Sequence, residues 1–307
     1  MLMIVMLHSL NYYGGWGFTE CPVLLYQKVS MILNDIALPV FFFVSGYLFY
    51  ANLDKYKSIG GGNFLKKKAK RLIIPYLFWA AIQMIIIPER YNLSQVPFGV
   101  SHLWFLMALF EIFFISILLK DIWEKMSLKQ GALLIIILLF AFYPVSVITR
   151  NFLRLTSVVG YMPFFICGIM LNQKNNFITK ISTFKILLIA IVSLLGIIFS
   201  HLLIENSMKH LIAKLSALIF VSYGVGFLLR LKLPLIPAVK FLDKNSMGIY
   251  ILHHILIMFY LQFENVRIFL NGHVEIGPLL IFSLAFSISL VISCLLHSNK
   301  FTRVLIG

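Results

Sequence analysis

Long apolar runs recur along the whole chain and constrain its fold more than any other feature. Nine of ten such runs hold 17 to 22 residues, long enough as helices to cross a hydrocarbon core of about 30 Å. A backbone in lipid must satisfy its hydrogen bonds internally, so each run is predicted to be helical. We therefore predict an all-α polytopic integral membrane protein of about ten transmembrane helices, with 1–307 as one membrane domain. The predicted spans are 1–13, 30–51, 70–88, 102–119, 131–148, 156–172, 184–204, 211–229, 245–263 and 277–296.

Composition supports the same class. The chain is 61% hydrophobic and only 12% charged, whereas soluble domains carry about 25% charged residues. The first run, 1–13, is too short to cross a bilayer and opens directly on apolar residues. We therefore expect that the N-terminus is truncated and that the true start lies upstream.

The basic residues, which give a net charge of +15, indicate a membrane orientation. With the N-terminus in the cytoplasm, 19 of the 26 Lys and Arg residues fall in inner segments and 7 in outer ones. This asymmetry follows the positive-inside rule and predicts both termini on the cytoplasmic side of a plasma (inner) membrane. The charge is explained by topology and contact with membrane lipids, so nucleic acid is not expected as a partner.

Ionisable groups inside a span are costly and are functional candidates by default. His8 lies in the first span, and Asn11, three residues later, shares its helix face. A neutral histidine can take a proton from a hydroxyl that attacks a carbonyl carbon. A histidine satisfied by a main-chain carbonyl is the structural alternative, and the spacing leaves both open.

The second and third spans carry two further candidates. Ser45 precedes Gly46 and forms a small polar patch that a ligand, or equally another helix, can approach. Lys68 and Arg71 belong to a basic cluster where the third span begins, and such side chains can bind phosphates. Topology and lipid headgroups are the alternative explanation for this cluster. Residues 60–62 are glycines but lack the pattern of a nucleotide-binding loop.

The fourth and ninth spans carry the remaining polar candidates. His102 and Trp104 open the fourth span near its outer end. Ser246, Tyr250 and His253 (or His254) follow helical spacing and form one stripe. Such a stripe normally faces the bundle interior, either as a substrate cavity or as hydrogen bonds between helices. The cysteines form no CxxC pair, and we predict no metal site.

Four of these segments together resemble the acyltransferase 3 family of bacterial membrane acyltransferases. They are Leu7-His8, residues 41–48, residues 68–71 followed by Pro75-Tyr76, and residues 246–253. The run His102-Leu103-Trp104-Phe105-Leu106 is similar to the branch that holds fucose O-acetyltransferases. Members of this family carry an arginine upstream of the first-span histidine, at a position that here precedes Met1.

The resemblance implies transfer of an acyl group, usually acetyl from cytosolic acetyl-CoA, to a hydroxyl of a cell-surface or lipid-linked sugar. It implies a catalytic role for His8 and phosphate binding by Lys68 and Arg71. From its helical spacing, Asn11 is expected to orient His8. Ser45, His102, Trp104, Ser246, Tyr250 and His253 are then expected at the cavity where acyl group and sugar meet. Acyl-CoA is a co-substrate, and no bound cofactor is expected.

Two other functions use similar residues. A transporter or flippase for a lipid-linked glycan would also need intramembrane polar groups and a basic inner face. We find no matched pair of Gly/Pro-broken spans of the kind that marks inverted repeats. A catalytically inactive scaffold subunit is the third alternative.

Overall fold

The computed structural model describes residues 1–14, 22–173, 180–204, 208–231, 234 and 236–307. It is 88% helical, and the described residues contain no strand. The α-helices in these ranges are α1 (Leu2–Gly14), α2 (Leu24–Ala51), α3 (Leu53–Ile59), α4 (Gly61–Ile86), α5 (Trp104–Leu118), α6 (Lys120–Lys125), α7 (Leu128–Thr149), α8 (Leu155–Gln173), α9 (Thr183–Leu203), α10 (Met208–Leu231), α11 (Pro237–Tyr260), α12 (Glu264–Gly272) and α13 (Gly277–Ser298). Short 3-10 helices lie at Leu93–Phe98, Ser101–Leu103, Phe152–Arg154 and Thr302–Ile306.

The predicted all-α membrane fold is confirmed, because eight helical segments are long and apolar enough to span a membrane. A ninth arises if α11 and α12, which meet at a bend of 94°, form one broken span. The remaining predicted span is α1, whose 13 residues reach only about 20 Å. Within the described ranges the long helices therefore number eight or nine, and the tenth predicted span is a short helix.

The largest hydrophobic core surrounds the contact between α2 and α8. Gly46 lies directly against the main chain of Phe165, and Gly168 lies against the main chain of Phe43. A side chain at either glycine would enter the backbone of the facing helix, so small residues allow this close approach. The crossing buries Phe42 and Phe43 fully.

Helix α1 connects this core with a second one. Its Ile4 and Leu7 belong to the core around α2 and α8. Its Val5, Tyr12 and Tyr13 pack instead with residues of α11 and α13. His8 therefore lies where the two cores meet.

Candidate active site

A cavity of about 300 Å³ lies among α2, α4, α5 and α11. It brings together residues far apart in the chain, including five predicted site residues. Its lining comprises Phe41, Ser45, Leu48, Phe49, Asn52, Tyr56, Lys68, Arg71, Leu72, Phe105, Leu109, Phe113, Ser246, Met247 and Tyr250. We call it the donor cavity. Its basic residues, Lys68 and Arg71, lie on the side predicted to be cytoplasmic.

Lys68 is the member of the basic cluster that faces the cavity. Its ammonium lies 3.8 Å from the centre of the Phe113 ring, whereas Lys66 and Lys67 are exposed. Arg71 follows one helical turn later and lines the same cavity. A cation over an aromatic face is stabilised by the negative charge of the ring face. Helix geometry thus separates Lys68 from its exposed neighbours, whereas Arg71 lines the cavity and is itself exposed.

The Ser45-Gly46 pair serves two surfaces. Gly46 is buried against Phe165 of α8, while Ser45 lines the donor cavity. Helix packing therefore explains Gly46, and contact with a ligand remains open for Ser45.

Tyr250 connects the donor cavity with a group of histidines. Its ring lines the cavity, and its hydroxyl donates a hydrogen bond to the main-chain carbonyl of His102. Ser246, one turn earlier on α11, lines the cavity as well. The polar stripe on α11 therefore faces the interior, as predicted from its spacing.

Four histidines from three segments form one cluster beyond Tyr250. His8 comes from α1, His102 from the turn before α5, and His253 and His254 from α11. The ring centroids of the six pairs are 4.6 to 6.4 Å apart, closest for His102 with His254. Within the described residues, no group of three or more His, Cys, Asp or Glu has the arrangement of a metal site. Neutral imidazoles can accept and donate protons, so the four packed rings are a candidate site for proton chemistry.

Main-chain carbonyls fix the protonated nitrogens of two of these rings. Nε2 of His102 lies 2.9 Å from the carbonyl oxygen of Ile251, and Nδ1 of His253 lies 2.9 Å from that of Ile249. A carbonyl only accepts, so each of these nitrogens carries the proton. Nε2 of His253 is buried and has no hydrogen-bond partner within the described residues. His253 therefore presents a free lone pair.

Ser101 adds a hydroxyl to the cluster. Its Oγ lies 3.1 Å from Nδ1 of His254 and 3.5 Å from Nδ1 of His102. Its φ of 48° is in the left-handed region. Such a backbone costs energy and persists where the surrounding structure imposes it. Ser101 is not among the predicted site residues, and His254 is predicted only as an alternative to His253.

Three of the predicted site residues do not line the donor cavity. His102 and His253 are buried behind Tyr250 and do not line the donor cavity. Trp104 lies beside the histidine cluster, with its ring 5.7 Å from that of Tyr161 and 5.0 Å from the guanidinium of Arg154.

The predicted pair of His8 and Asn11 lies on α1, where both residues are half-buried. The nearest ionisable neighbours of His8 are instead the other three histidines, and only the tertiary fold brings them there.

Comparison with known proteins identifies the family of this chain. The sequence profile of Acyl_transf_3, described as an acyltransferase domain, matches residues 1–298. No curated protein and no solved structure matches the chain at a significant level. The match covers nearly the whole chain, including the donor cavity and all four histidines. The chain therefore belongs to the acyltransferase 3 family and is a membrane acyltransferase.

Proposed function

We propose that the protein transfers an acetyl group from cytosolic acetyl-CoA to a hydroxyl of a cell-surface or lipid-linked sugar. The family supports acyl transfer in general. The run from His102 to Leu106 is similar to the fucose O-acetyltransferase branch. This similarity supports acetyl as the transferred group and a sugar as the acceptor. The predicted orientation supports a bacterial plasma membrane as the location.

One observation about the donor cavity supports this proposal. Lys68, Arg71 and Tyr250 all line it, and Tyr250 is hydrogen-bonded to the backbone of His102 in the histidine cluster. In this proposal the two cations hold CoA phosphates through charge-assisted hydrogen bonds. The apolar walls, which include Phe105 and Leu109, then surround the chain that carries the thioester towards Tyr250.

A neutral imidazole of the cluster supplies the base. We assign this role to His8, because it is half-buried, whereas His253 is fully buried. His8 takes the proton as the acceptor oxygen attacks the thioester carbonyl carbon. The C–S bond of the tetrahedral intermediate then breaks, and the thiolate leaves as CoA–SH with that proton. General-base catalysis contributes about 10²–10⁴-fold, so orientation by the cavity contributes much of the rest.

The test is transfer of radiolabelled acetyl from acetyl-CoA to membrane glycolipid or polysaccharide. Membranes would hold the wild type, His8→Ala or neither, with insertion of both chains verified. Label that depends on the wild type and is lost in His8→Ala supports the proposal. Retained transfer in His8→Ala would remove His8 from the mechanism. Absence of transfer from an inserted chain with an upstream-extended start, across several acyl-CoA donors and glycan acceptors, would favour the transporter.

A further inference from the structure

The last six residues of the chain fold back onto the helices that form the donor cavity. This return segment, residues 302–307, follows α13 and contains the 3-10 helix Thr302–Ile306. It packs against α4, α11 and α13. Helices α4 and α11 carry cavity-lining residues, whereas none of residues 302–307 lines the cavity. The segment therefore adjoins two of the helices that form the cavity walls.

The start of the return segment is tied to the end of α13. Oγ1 of Thr302 donates a hydrogen bond to the carbonyl oxygen of Leu296 at 2.7 Å, and the guanidinium of Arg303 donates one to that of His297 at 3.0 Å. Carbonyls in the last turn of a helix have no helical N–H partner. The two bonds therefore fix the direction in which the chain leaves α13.

The other end of the segment is tied to α4. Nε1 of Trp79 donates a hydrogen bond to the carbonyl oxygen of Leu305 at 2.6 Å. Ile306 is buried, with 1% of its surface exposed, and burial of such a side chain is stabilising. The segment is thus held at both ends.

Gly307 brings the segment into contact with the arginine of the donor cavity. A side-chain carbon at Gly307 would lie 3.4 Å from Cγ of Arg71, 3.1 Å from its carbonyl oxygen and 3.0 Å from Cγ of Met247. Both of these residues line the cavity, Arg71 from α4 and Met247 from α11. The φ of Gly307 is 78°, in the left-handed region that glycine adopts without strain. Gly307 therefore lies against the aliphatic part of Arg71.

Arg71 needs such a contact more than Lys68 does. Lys68 is half-buried over the Phe113 ring, whereas Arg71 is exposed. An exposed arginine has many rotamers, and ordering one such side chain on binding weakens affinity about 2–10-fold. A neighbour that packs on the aliphatic part of the side chain removes part of this cost before the ligand arrives.

We propose that the return segment positions Arg71 for the CoA phosphates, with Gly307 as the contact and with Trp79 and Ile306 as the anchors of the segment. These three are positioning residues, because they do not line the cavity and act through Arg71. The inference rests on the proposed binding of CoA by Arg71. It adds that affinity for the donor depends on a segment far from α4 in the sequence.

The test measures equilibrium binding of radiolabelled CoA to the purified full chain in nanodiscs, without an acceptor. Ile306→Ala removes the buried anchor, and Trp79→Phe keeps an aromatic ring but loses the bond to Leu305. Each variant should raise the Kd for CoA about 2–10-fold, because Arg71 then loses its rotamer freedom only when CoA binds.

Two control variants make the same chemical changes away from the donor cavity. Nε1 of Trp123 donates a hydrogen bond to the carbonyl oxygen of Ser116 at 2.9 Å, and Ile197 on α9 is fully buried. Trp123→Phe and Ile197→Ala should lower the melting temperature but leave the Kd for CoA unchanged. A Kd that rises as much in these controls as in Trp79→Phe and Ile306→Ala would overturn the proposal, because general loosening of the fold would then explain every variant.

A double-mutant cycle with Arg71→Gln separates positioning from a purely structural role. Arg71→Gln alone should raise the Kd about 10–100-fold, the loss expected for a charge-assisted hydrogen bond. Ile306→Ala should add nothing in this background, because the segment acts through the side chain that has been replaced. An equal further rise in the Arg71→Gln background would overturn the inference. So would unchanged binding in folded Ile306→Ala and Trp79→Phe.

The two proposals fail in different ways. If the wild type binds no CoA, or if Arg71→Gln binds it equally well, the proposed donor site fails and this inference fails with it. Binding that depends on Arg71 but not on the return segment retains the proposed function and removes this inference alone. A protein that binds CoA through both but transfers no acetyl group retains this inference and loses the proposed transfer.

Discussion

The hydroxyl of Tyr250 donates a hydrogen bond to the main-chain carbonyl of His102. Through this contact, a residue of the donor cavity touches the backbone of the histidine cluster, although the two residues are 148 positions apart. Tyr250 therefore lies at the boundary between the cavity proposed to hold CoA and the histidine cluster where proton transfer is proposed. Reaction at that boundary requires both sides to keep their relative position.

Removal of this hydroxyl tests whether the bond between Tyr250 and His102 is needed for acetyl transfer. Tyr250→Phe keeps the ring and loses the bond, whose net worth is about 1 kcal/mol. Because the carbonyl of His102 is then buried without this donor, we expect acetyl transfer to fall about 10-fold with the protein still folded. Initial rates at saturating acetyl-CoA measure the change. Tyr143→Phe, on the exposed surface of α7, should be unaffected, and wild-type rates in Tyr250→Phe would show that the bond has no role.

The four histidines should not be equivalent. His8→Gln should lower kcat by about 10²–10⁴-fold, because it removes the proposed base. His253→Gln should have a smaller effect, because its ring is fully buried and acts through its neighbours. The rate as a function of pH separates the two: His253→Gln should shift the acidic limb, whereas His8→Gln should abolish it. The assignment is wrong if His253→Gln alone abolishes transfer.

The basic cluster offers a matched pair of lysines. Lys68 faces the donor cavity over Phe113, and Lys67 is exposed. We expect Lys68→Gln to raise the KM for acetyl-CoA about 10–100-fold, the loss expected for a charge-assisted bond to phosphate. Lys67→Gln should change it little. Steady-state titration with acetyl-CoA gives both values, and equal effects would mean that only the general basic potential attracts CoA.

A single methyl group added at the crossing of α2 and α8 should destabilise the fold. In Gly46→Ala the new carbon would overlap the carbonyl oxygen of Phe165. Overpacking of this kind costs about 1–3 kcal/mol. The apparent melting temperature in detergent should fall, and Ser45 should be displaced with its helix. Gly224→Ala on α10, where a side-chain carbon meets no atom within 4 Å, is the control, and an equally stable Gly46→Ala would contradict the close contact.

The candidate site was only partly predictable. The spacing of Ser246 and Tyr250 on one helix face, and the basic pair Lys68 and Arg71, were visible as local patterns, and the structure brings these four together in one cavity. The expected contact of His8 with Asn11 also rested on spacing along one helix. His8 instead lies against histidines that come from positions 102, 253 and 254, and helix periodicity says nothing about such contacts.

The sequence by itself determined the class of this protein and the helices that build it. Long apolar runs dictate spanning helices because lipid offers no partner for the backbone. Tertiary structure alone decided which polar side chains meet. It turned Lys68 inwards and left Lys67 outside, buried His102 behind Tyr250, and set Arg154 on Trp104. These contacts depend on how the helices cross, and close approaches such as Gly46 against Phe165 set that geometry between segments far apart in the chain.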